Sequence, residues 1–244
     1  MPDSGAGQTL ESLPQASAPP LLISYAFIKA WEKVRTRTPC RQWVLDSGAF
    51  TAKSTGVTID REKFVEYALQ RLADDPRLVS VFSLDVIGDP MATLRNTEFM
   101  WERGIKAIPT FHGGTRWSHL KELMRYPKIA LGGVARASTK QRAAFASELF
   151  SRVWPKKVHG FGFGSQGNVL AFPWHSVDAS SWNNPLRFGQ WWSMGNRGRL
   201  SGSGVAQVPN ASALLHGEVE HFARLERAAR SKWRRTWQSV ESLH

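Results

Sequence analysis

The sequence predicts an α/β fold made of repeated strand–helix units, a (β/α)8 TIM-like barrel that is complete or short by one unit. Three observations predict it. Short β-branched runs alternate with stretches of helical periodicity along most of the chain. Several of these runs end in small or polar residues, as strands opening onto a barrel mouth do. Three of them deliver an aspartate: Asp46 in Trp43-Val44-Leu45-Asp46-Ser47-Gly48-Ala49-Phe50, Asp85 in Val81-Phe82-Ser83-Leu84-Asp85-Val86-Ile87, and Asp178 in Ser176-Val177-Asp178-Ala179-Ser180-Ser181-Trp182. In α/β folds the rim that receives such groups is where sites are built. A doubly wound open sheet is the alternative architecture.

Taken in order, residues 1–20 are rich in Ser, Gly, Pro and Ala and read as a disordered tail. A single domain follows over residues 21–244. Its strands are expected at Leu21–Phe27, Gln42–Asp46, Leu78–Val86, Ala107–Phe111, Lys128–Leu131, Val158–Phe163 and Ser176–Asp178. Between them, Arg61–Ala73 carries Phe64, Val65, Ala68, Leu69 and Leu72 at helical spacing, and Thr93–Arg103, Trp117–Arg125 and Thr139–Val153 are further helices. Asn196–Val205 is a basic, glycine-rich loop. A last helix over about 211–238 packs through Leu214, Leu215, Val219, Phe222 and Leu225 and leaves a basic face outward.

Composition narrows the classes. The chain has 244 residues, enough for one large core, and is 42% hydrophobic with eleven tryptophans, which excludes a disordered protein. No apolar run approaches the roughly 18–20 residues that cross a bilayer, and the basic-then-apolar pattern of a signal peptide is not seen at the start. Cys40 is the only cysteine, so internal disulfides and cysteine-rich zinc sites are excluded and a reducing, cytoplasmic setting is expected. The net charge is +12 and the pI about 10.3, a bias that favours polyanions and nucleic acid in particular. The positive charge gathers at Arg197 and Arg199 and again at Arg224, Arg227, Arg230, Lys232, Arg234 and Arg235, with Trp233 and Trp237 among them to cover apolar surface or stack on bases.

The strand ends, in order, are Leu45-Asp46-Ser47-Gly48-Ala49-Phe50, Leu84-Asp85-Val86-Ile87-Gly88-Asp89, Ile108-Pro109-Thr110-Phe111-His112-Gly113-Gly114, Ala130-Leu131-Gly132-Gly133-Val134-Ala135, His159-Gly160-Phe161-Gly162-Phe163-Gly164 and Ser176-Val177-Asp178-Ala179-Ser180. In that order and spacing they resemble the tRNA-guanine transglycosylase superfamily, over roughly Leu21 to Trp192. The closer likeness is to its short DNA-acting branch, the DNA 7-deazaguanine transglycosylases of phages and bacterial DNA-modification islands. Asp-Ser-Gly-Ala-Phe and Leu-Gly-Gly-Val-Ala are the specific parts.

The resemblance implies a base exchange in which an aspartate displaces guanine from its sugar and a 7-deazaguanine then displaces the aspartate. Asp178 matches the nucleophile and Asp46 the carboxylate that handles protons at the two bases. Asp85 matches the reader of the guanine edge, with Ser47, Gly48 and His112 beside it, while Gly132 and Gly133 match a glycine pair lying against the base. The co-substrate is a 7-deazaguanine such as 7-cyano-7-deazaguanine; no metal or other cofactor is implied. Phosphates would fall to Arg197, Arg199, Arg227, Arg230, Arg234 and Arg235. The tRNA-acting members carry a cysteine-rich zinc site that a one-cysteine chain lacks, so DNA is the expected partner and tRNA the alternative. A homodimer or accessory modification proteins are compatible with the sequence, and a phage origin would place the protein in the host cytoplasm.

Other readings stay open. Asp46 before Ser-Gly also suits a turn or cap, Asp178 before Ala-Ser-Ser suits a cap, and Asp85, with Asp89 and Pro90 close behind, suits a loop carboxylate. Phe50 and Trp182 either wall a base site or pack in the core, and His159 and His175 read as structural. A metal-dependent barrel hydrolase using His112, His159 or His175 is weakened by the absence of His-x-His or His-Glu-x-x-His pairs. A non-catalytic nucleic-acid-binding barrel gains nothing from three acids at its mouth.

Overall fold

A computed structural model describes residues 18–181, 190–191, 198–199 and 211–242. The chain is α/β, with its main strands parallel. Strands β1 (Leu21–Ser24), β2 (Trp43–Asp46) and β3 (Leu78–Val81) form one parallel sheet. Strands β4 (Thr110–His112), β5 (Lys128–Gly132), β6 (Lys157–Gly160) and β7 (Ser176–Val177) form a second. A parallel bridge between Phe82 and Ile108 joins them, closed by Ser83 N–H to the Ile108 carbonyl and Ile108 N–H to the Val81 carbonyl, both at 2.9 Å. The strands therefore follow one another in chain order, without the reversal a doubly wound sheet requires. No pairing of β7 with β1 occurs among the described residues, so a complete eight-stranded barrel is not formed by them. A short antiparallel pair, β8 (Gln190–Trp191) and β9 (Gly198–Arg199), stands apart.

The expected strands occur, most of them shorter and β5 one residue longer. Leu21–Phe27 stops at Ser24 and turns through a 3-10 turn, Tyr25–Phe27, into helix α1 (Ile28–Val34), which no apolar periodicity announced. Helix α2 (Ala49–Thr55) follows β2 after the left-handed Gly48, φ +77°. Helix α3 (Arg61–Asp74) begins where the Asp60 carboxylate accepts from Lys63 N–H at 3.1 Å. Its buried face is Phe64, Val65, Ala68 and Arg71, whereas Leu69 and Leu72, expected inside, are each 39% exposed. At about 100° per residue Arg71 falls about 20° from Phe64, on the side away from Ala68, and Leu69 about 140° from Phe64, and the Arg71 guanidinium reaches Glu32 and Asp74.

Helix α4 (Pro90–Glu102) starts before the expected Thr93, because Asp89 caps it, accepting from Ala92 N–H at 2.9 Å, and Pro90 supplies a preset first turn. Trp117–Arg125 resolves into a 3-10 turn and helix α5 (Leu120–Leu123). Helix α6 (Thr139–Val153) carries a full capping box between Ser138 and Gln141, and helix α7 (Gln166–Ala171) precedes β7. Of the expected tail over residues 1–20, residues 1–17 lie outside the described residues, and Ala18 is buried. None of the helices described is long and apolar enough to cross a membrane.

Period-two alternation sorts the side chains onto two faces. Trp43, Leu45, Leu78 and Val81 pack outward on Trp31, Phe64, Ala68 and Met100. The second sheet has its own outer core, with Ile129, Leu131 and Val158 against Leu149, Phe150 and Val153. Inner positions Phe82, Ile108 and Ala130, with Leu22, Val44 and Phe161, form a third cluster drawn from both sheets. Buried Asp75 braces the base of the first sheet, where it accepts from Arg35 at 2.8 Å, Arg77 at 3.0 Å and Trp43 Nε1 at 3.1 Å. Burial pushes its carboxyl up, but the hydrogen bonds from Arg77 and Arg35 outweigh that and hold it far below the usual range.

The last helix, α8 (Ala211–Glu241), runs three residues beyond its expected end. Lys232 Nζ donates to the Leu170 carbonyl of α7 at 2.8 Å, Trp237 stacks on Trp154 at 5.0 Å, and Glu226 pairs with Arg41, just before β2, at 2.6 Å. It thus touches elements from both ends of the strand order. Leu225 is buried and Val219 and Phe222 half-buried, as expected; the side chains of Leu214 and Leu215 lie outside the described residues.

Candidate active site

Inner-face positions at the carboxyl ends of the strands carry Asp46, His112, Gly132 and, just past β7, Asp178; Asp85 follows β3. Asp46 sits beside Ser24 in the β1–β2 register. Its Oδ2 accepts the Gly48 N–H at 3.0 Å. Gly48 must be glycine: besides its positive φ, a Cβ there would stand 2.8 Å from Ala26 N and 2.9 Å from Ser24 Oγ. Burial pushes the Asp46 carboxyl up, the charge of Asp85 and then Asp178 adds to it, and the Gly48 amide only partly offsets them. The result is a carboxyl raised to about 7. The Ser24 hydroxyl stabilises the carboxylate slightly, yet completes no well-formed hydrogen bond. Ser47 is buried at the turn.

Asp85 is reached by His112 Nε2 at 3.2 Å and by the Ser83 hydroxyl at 3.4 Å. The loop carrying it is stapled by Asn96 to the Leu84 carbonyl at 2.9 Å and by Val86 N–H to Thr93 Oγ1 at 2.8 Å. A carboxylate offers about four lone-pair positions, so two partners leave it able to accept more. His112, expected at a base, is in the structure the partner of Asp85.

Gly132 and Gly133 bring the β4 and β5 loops together. A Cβ on Gly132 would lie 2.9 Å from Thr110 Cγ2 and 3.4 Å from His112 Cδ2, and one on Gly133, φ +73°, 2.8 Å from Gly113 N. The place a Cβ would take on each is thus occupied by protein atoms, which requires glycine at both positions.

Asp178 Oδ1 accepts the Gly162 N–H at 2.8 Å, and His159 Nε2 stands 3.6 Å from the same oxygen. The Gly162 carbonyl accepts from Arg142 at 2.8 Å, and the same guanidinium holds the carbonyls of Ala137 at 3.1 Å and Ala135 at 3.2 Å. In the sequence His159 read as structural or, in the hydrolase alternative, as a metal ligand, and Arg142 was not singled out. His175 lies before β7, away from the three carboxylates. Among the described residues no group of three or more His, Cys, Asp or Glu could hold a metal ion.

Three buried polar atoms on these strands have no hydrogen-bond partner: Ser24 Oγ, Thr110 Oγ1 and His159 Nε2. Such atoms are rare in native interiors. Around them Phe27 and Phe50 are 62% and 66% exposed, so Phe50 is not a core residue. Trp182 and Arg197 lie outside the described residues, as does the side chain of Arg199.

On α8 the exposed cations divide. Arg230 pairs with Glu226 at 2.8 Å and Arg224 with Glu220 at 3.6 Å. Arg227, Arg234 and Arg235 are exposed without an ion pair among the described residues, on one side of the helix at i, i+7 and i+8. Trp237 covers apolar surface against Trp154. No protein-family model matches the chain, and no curated protein matches it significantly.

Proposed function

We propose that the protein is a base-exchange transglycosylase that replaces guanine in DNA with a 7-deazaguanine through a covalent aspartyl–sugar intermediate. The observation that carries the reading is Asp46, a carboxyl raised to about 7 by burial and by the charges of Asp85 and Asp178. A group half-protonated at neutral pH serves as acid in one half-reaction and base in the other. In the same reading the fold is a (β/α)8-type barrel, supported by the sequential parallel strands, the inner cluster shared by both sheets, and α8 touching both ends of the strand order.

Asp178 attacks C1′ of a guanine nucleotide that is flipped out or already single stranded. The C1′–O bond forms as the C1′–N9 bond breaks, and the departing base takes the bond's electrons and the Asp46 proton. An incoming 7-deazaguanine returns a proton to Asp46 and attacks the same carbon. The C1′–O electrons go back to Asp178. Two displacements give retention at the sugar. Asp85, steadied by His112, accepts from the ring N–H and exocyclic amine of guanine, a two-point contact specific to that edge. Arg227, Arg234 and Arg235 hold phosphates as unpaired cations.

The test is release of label from radiolabelled guanine in DNA and in tRNA, with 7-cyano-7-deazaguanine supplied and Asp178→Ala and Asp178→Asn run alongside. Loss from DNA alone, abolished in both variants, is expected. Loss from tRNA instead keeps the chemistry and changes the substrate. Tight DNA binding without release from either overturns the reading in favour of a binding protein.

A further inference from the structure

His159 lies on β6 one layer below the rim, 5% exposed. Its ring is gripped by Phe82 and Phe161, each 4.6 Å away between centroids. The ladder sets Ser176 opposite it, and Nδ1 lies 2.9 Å from the Ser176 hydroxyl. Nε2 faces Asp178 Oδ1 at 3.6 Å and has no closed hydrogen bond, although it is buried. The Gly162 amide donates to the same Oδ1 at 2.8 Å. Both neighbours of the carboxylate are thus on one oxygen, and no donor from the described residues stands on Oδ2.

We propose that His159 is a positioning residue for Asp178: the Ser176 hydroxyl donates to Nδ1 and keeps the proton on Nε2, and that N–H closes on Oδ1 when substrate binds, leaving Oδ2 to attack. The inference rests on the reading of Asp178 as nucleophile and goes beyond it in naming the reacting oxygen and the group that selects it. In a neutral imidazole one nitrogen donates and the other accepts, so a hydroxyl donating to Nδ1 makes Nε2 the donor. The flanking rings prevent a flip that would exchange the nitrogens. During attack the new bond is Oδ2–C1′ and the bond broken is C1′–N9; no proton passes through His159. In the second displacement the carboxylate is the leaving group. A donor already aimed at Oδ1 stabilises the charge that returns to it, without reorganisation.

Two variants separate positioning from packing. His159→Phe keeps an aromatic ring between Phe82 and Phe161 and removes the donor; His159→Gln returns a donor near the Nε2 position. Guanine exchange in His159→Phe is expected to lose about 10²-fold in kcat with KM for DNA unchanged, in line with the loss of one preoriented donor. His159→Gln should recover at least about tenfold of it, converting to roughly 1.4 kcal/mol of barrier, with thermal midpoints matched between the two. Equal losses that track a fall in midpoint, or a rise in KM alone, overturn the proposal. Nitrogen-15 spectra of the ring provide a reading without substrate. The Nε2-protonated tautomer is expected in the wild type, with a tautomer mixture in Ser176→Ala and a moved Nε2 resonance in Asp178→Asn. An Nδ1-protonated ring in the wild type sinks the idea. If the wild type exchanges no base at all, the transglycosylase reading fails. The spectra then decide the contact alone: it stands if Asp178→Asn moves Nε2 and falls if it does not.

Discussion

Arg142 and Asp178 are joined through a single residue: Gly162 takes the guanidinium on its carbonyl and gives its amide to the carboxylate, each at 2.8 Å. Because Arg142 also holds Ala135 and Ala137, it ties the loop after β5 to the loop after β6 and sets where the Asp178 carboxylate rests.

Arg142→Ala should therefore lower the exchange kcat by about tenfold while removing only on the order of 1 kcal/mol of stability, since the carbonyls it frees are near solvent. Arg142→Lys should not restore the rate, because a point ammonium cannot serve three carbonyls as a planar fork does. Single-turnover rates and urea unfolding on the same preparations check both statements; a rate loss fully matched by unfolding refutes the link.

Asp46 makes stability depend on pH in a fixed direction. Its folded value of about 7 stands above the ordinary 3.8, so the folded protein keeps a proton that the unfolded chain releases. The contribution of this group to stability is greatest below about pH 4, falls as pH rises to about 7, and is flat beyond. Asp46→Asn should be more stable than the wild type at pH 8 by about 3 kcal/mol, discounted from the full shift because the rim is partly wet, and nearly equal to it at pH 4. Urea midpoints across that range measure it. The same variant should exchange base at a rate at least about 10²-fold lower.

Much of the frame was legible because period-two alternation and terminal carboxylates are local signals: Asp46 ends β2 and Asp178 directly follows β7, whereas Asp85, expected within a strand reaching Val86, stands in the loop four residues past the end of β3. His159 was legible as a structural residue or a candidate metal ligand, not as a neighbour of Asp178. A histidine among apolar neighbours carries no mark of which atom it faces, and its tie to Asp178 depends on the β6–β7 register. Arg142 is hidden for the same reason, its partners lying 5, 7 and 20 residues away. Leu69 misled because one helical turn admits several apolar stripes and Arg71, packed through its stem, took the inner place. The Gly132–Gly133 pair matched a ligand cradle in sequence, and close approach to Thr110 and Gly113 requires glycine there in space.

Arg227, Arg234 and Arg235 should act on DNA as unpaired charges. Replacing all three with Ala should weaken binding without regard to base sequence and reduce the slope of log affinity against log salt by about 2–3, each phosphate contact contributing about 0.7–0.9. Replacing Arg224 and Arg230, already neutralised by Glu220 and Glu226, should change it far less. Titrations at several salt concentrations distinguish them; equal effects from the two sets would contradict the division.

The bridge between Phe82 and Ile108 also makes the molecule divisible. On one side of it stand Asp46 and Asp85 with their own packed core, and on the other His112, His159 and Asp178 with theirs. Neither half holds all three carboxylates, and the Asp85–His112 contact is a suture across the line between them. Under the proposed exchange the acid and the nucleophile would stand in different halves, so whatever tightens or loosens that suture would adjust their spacing without touching either one.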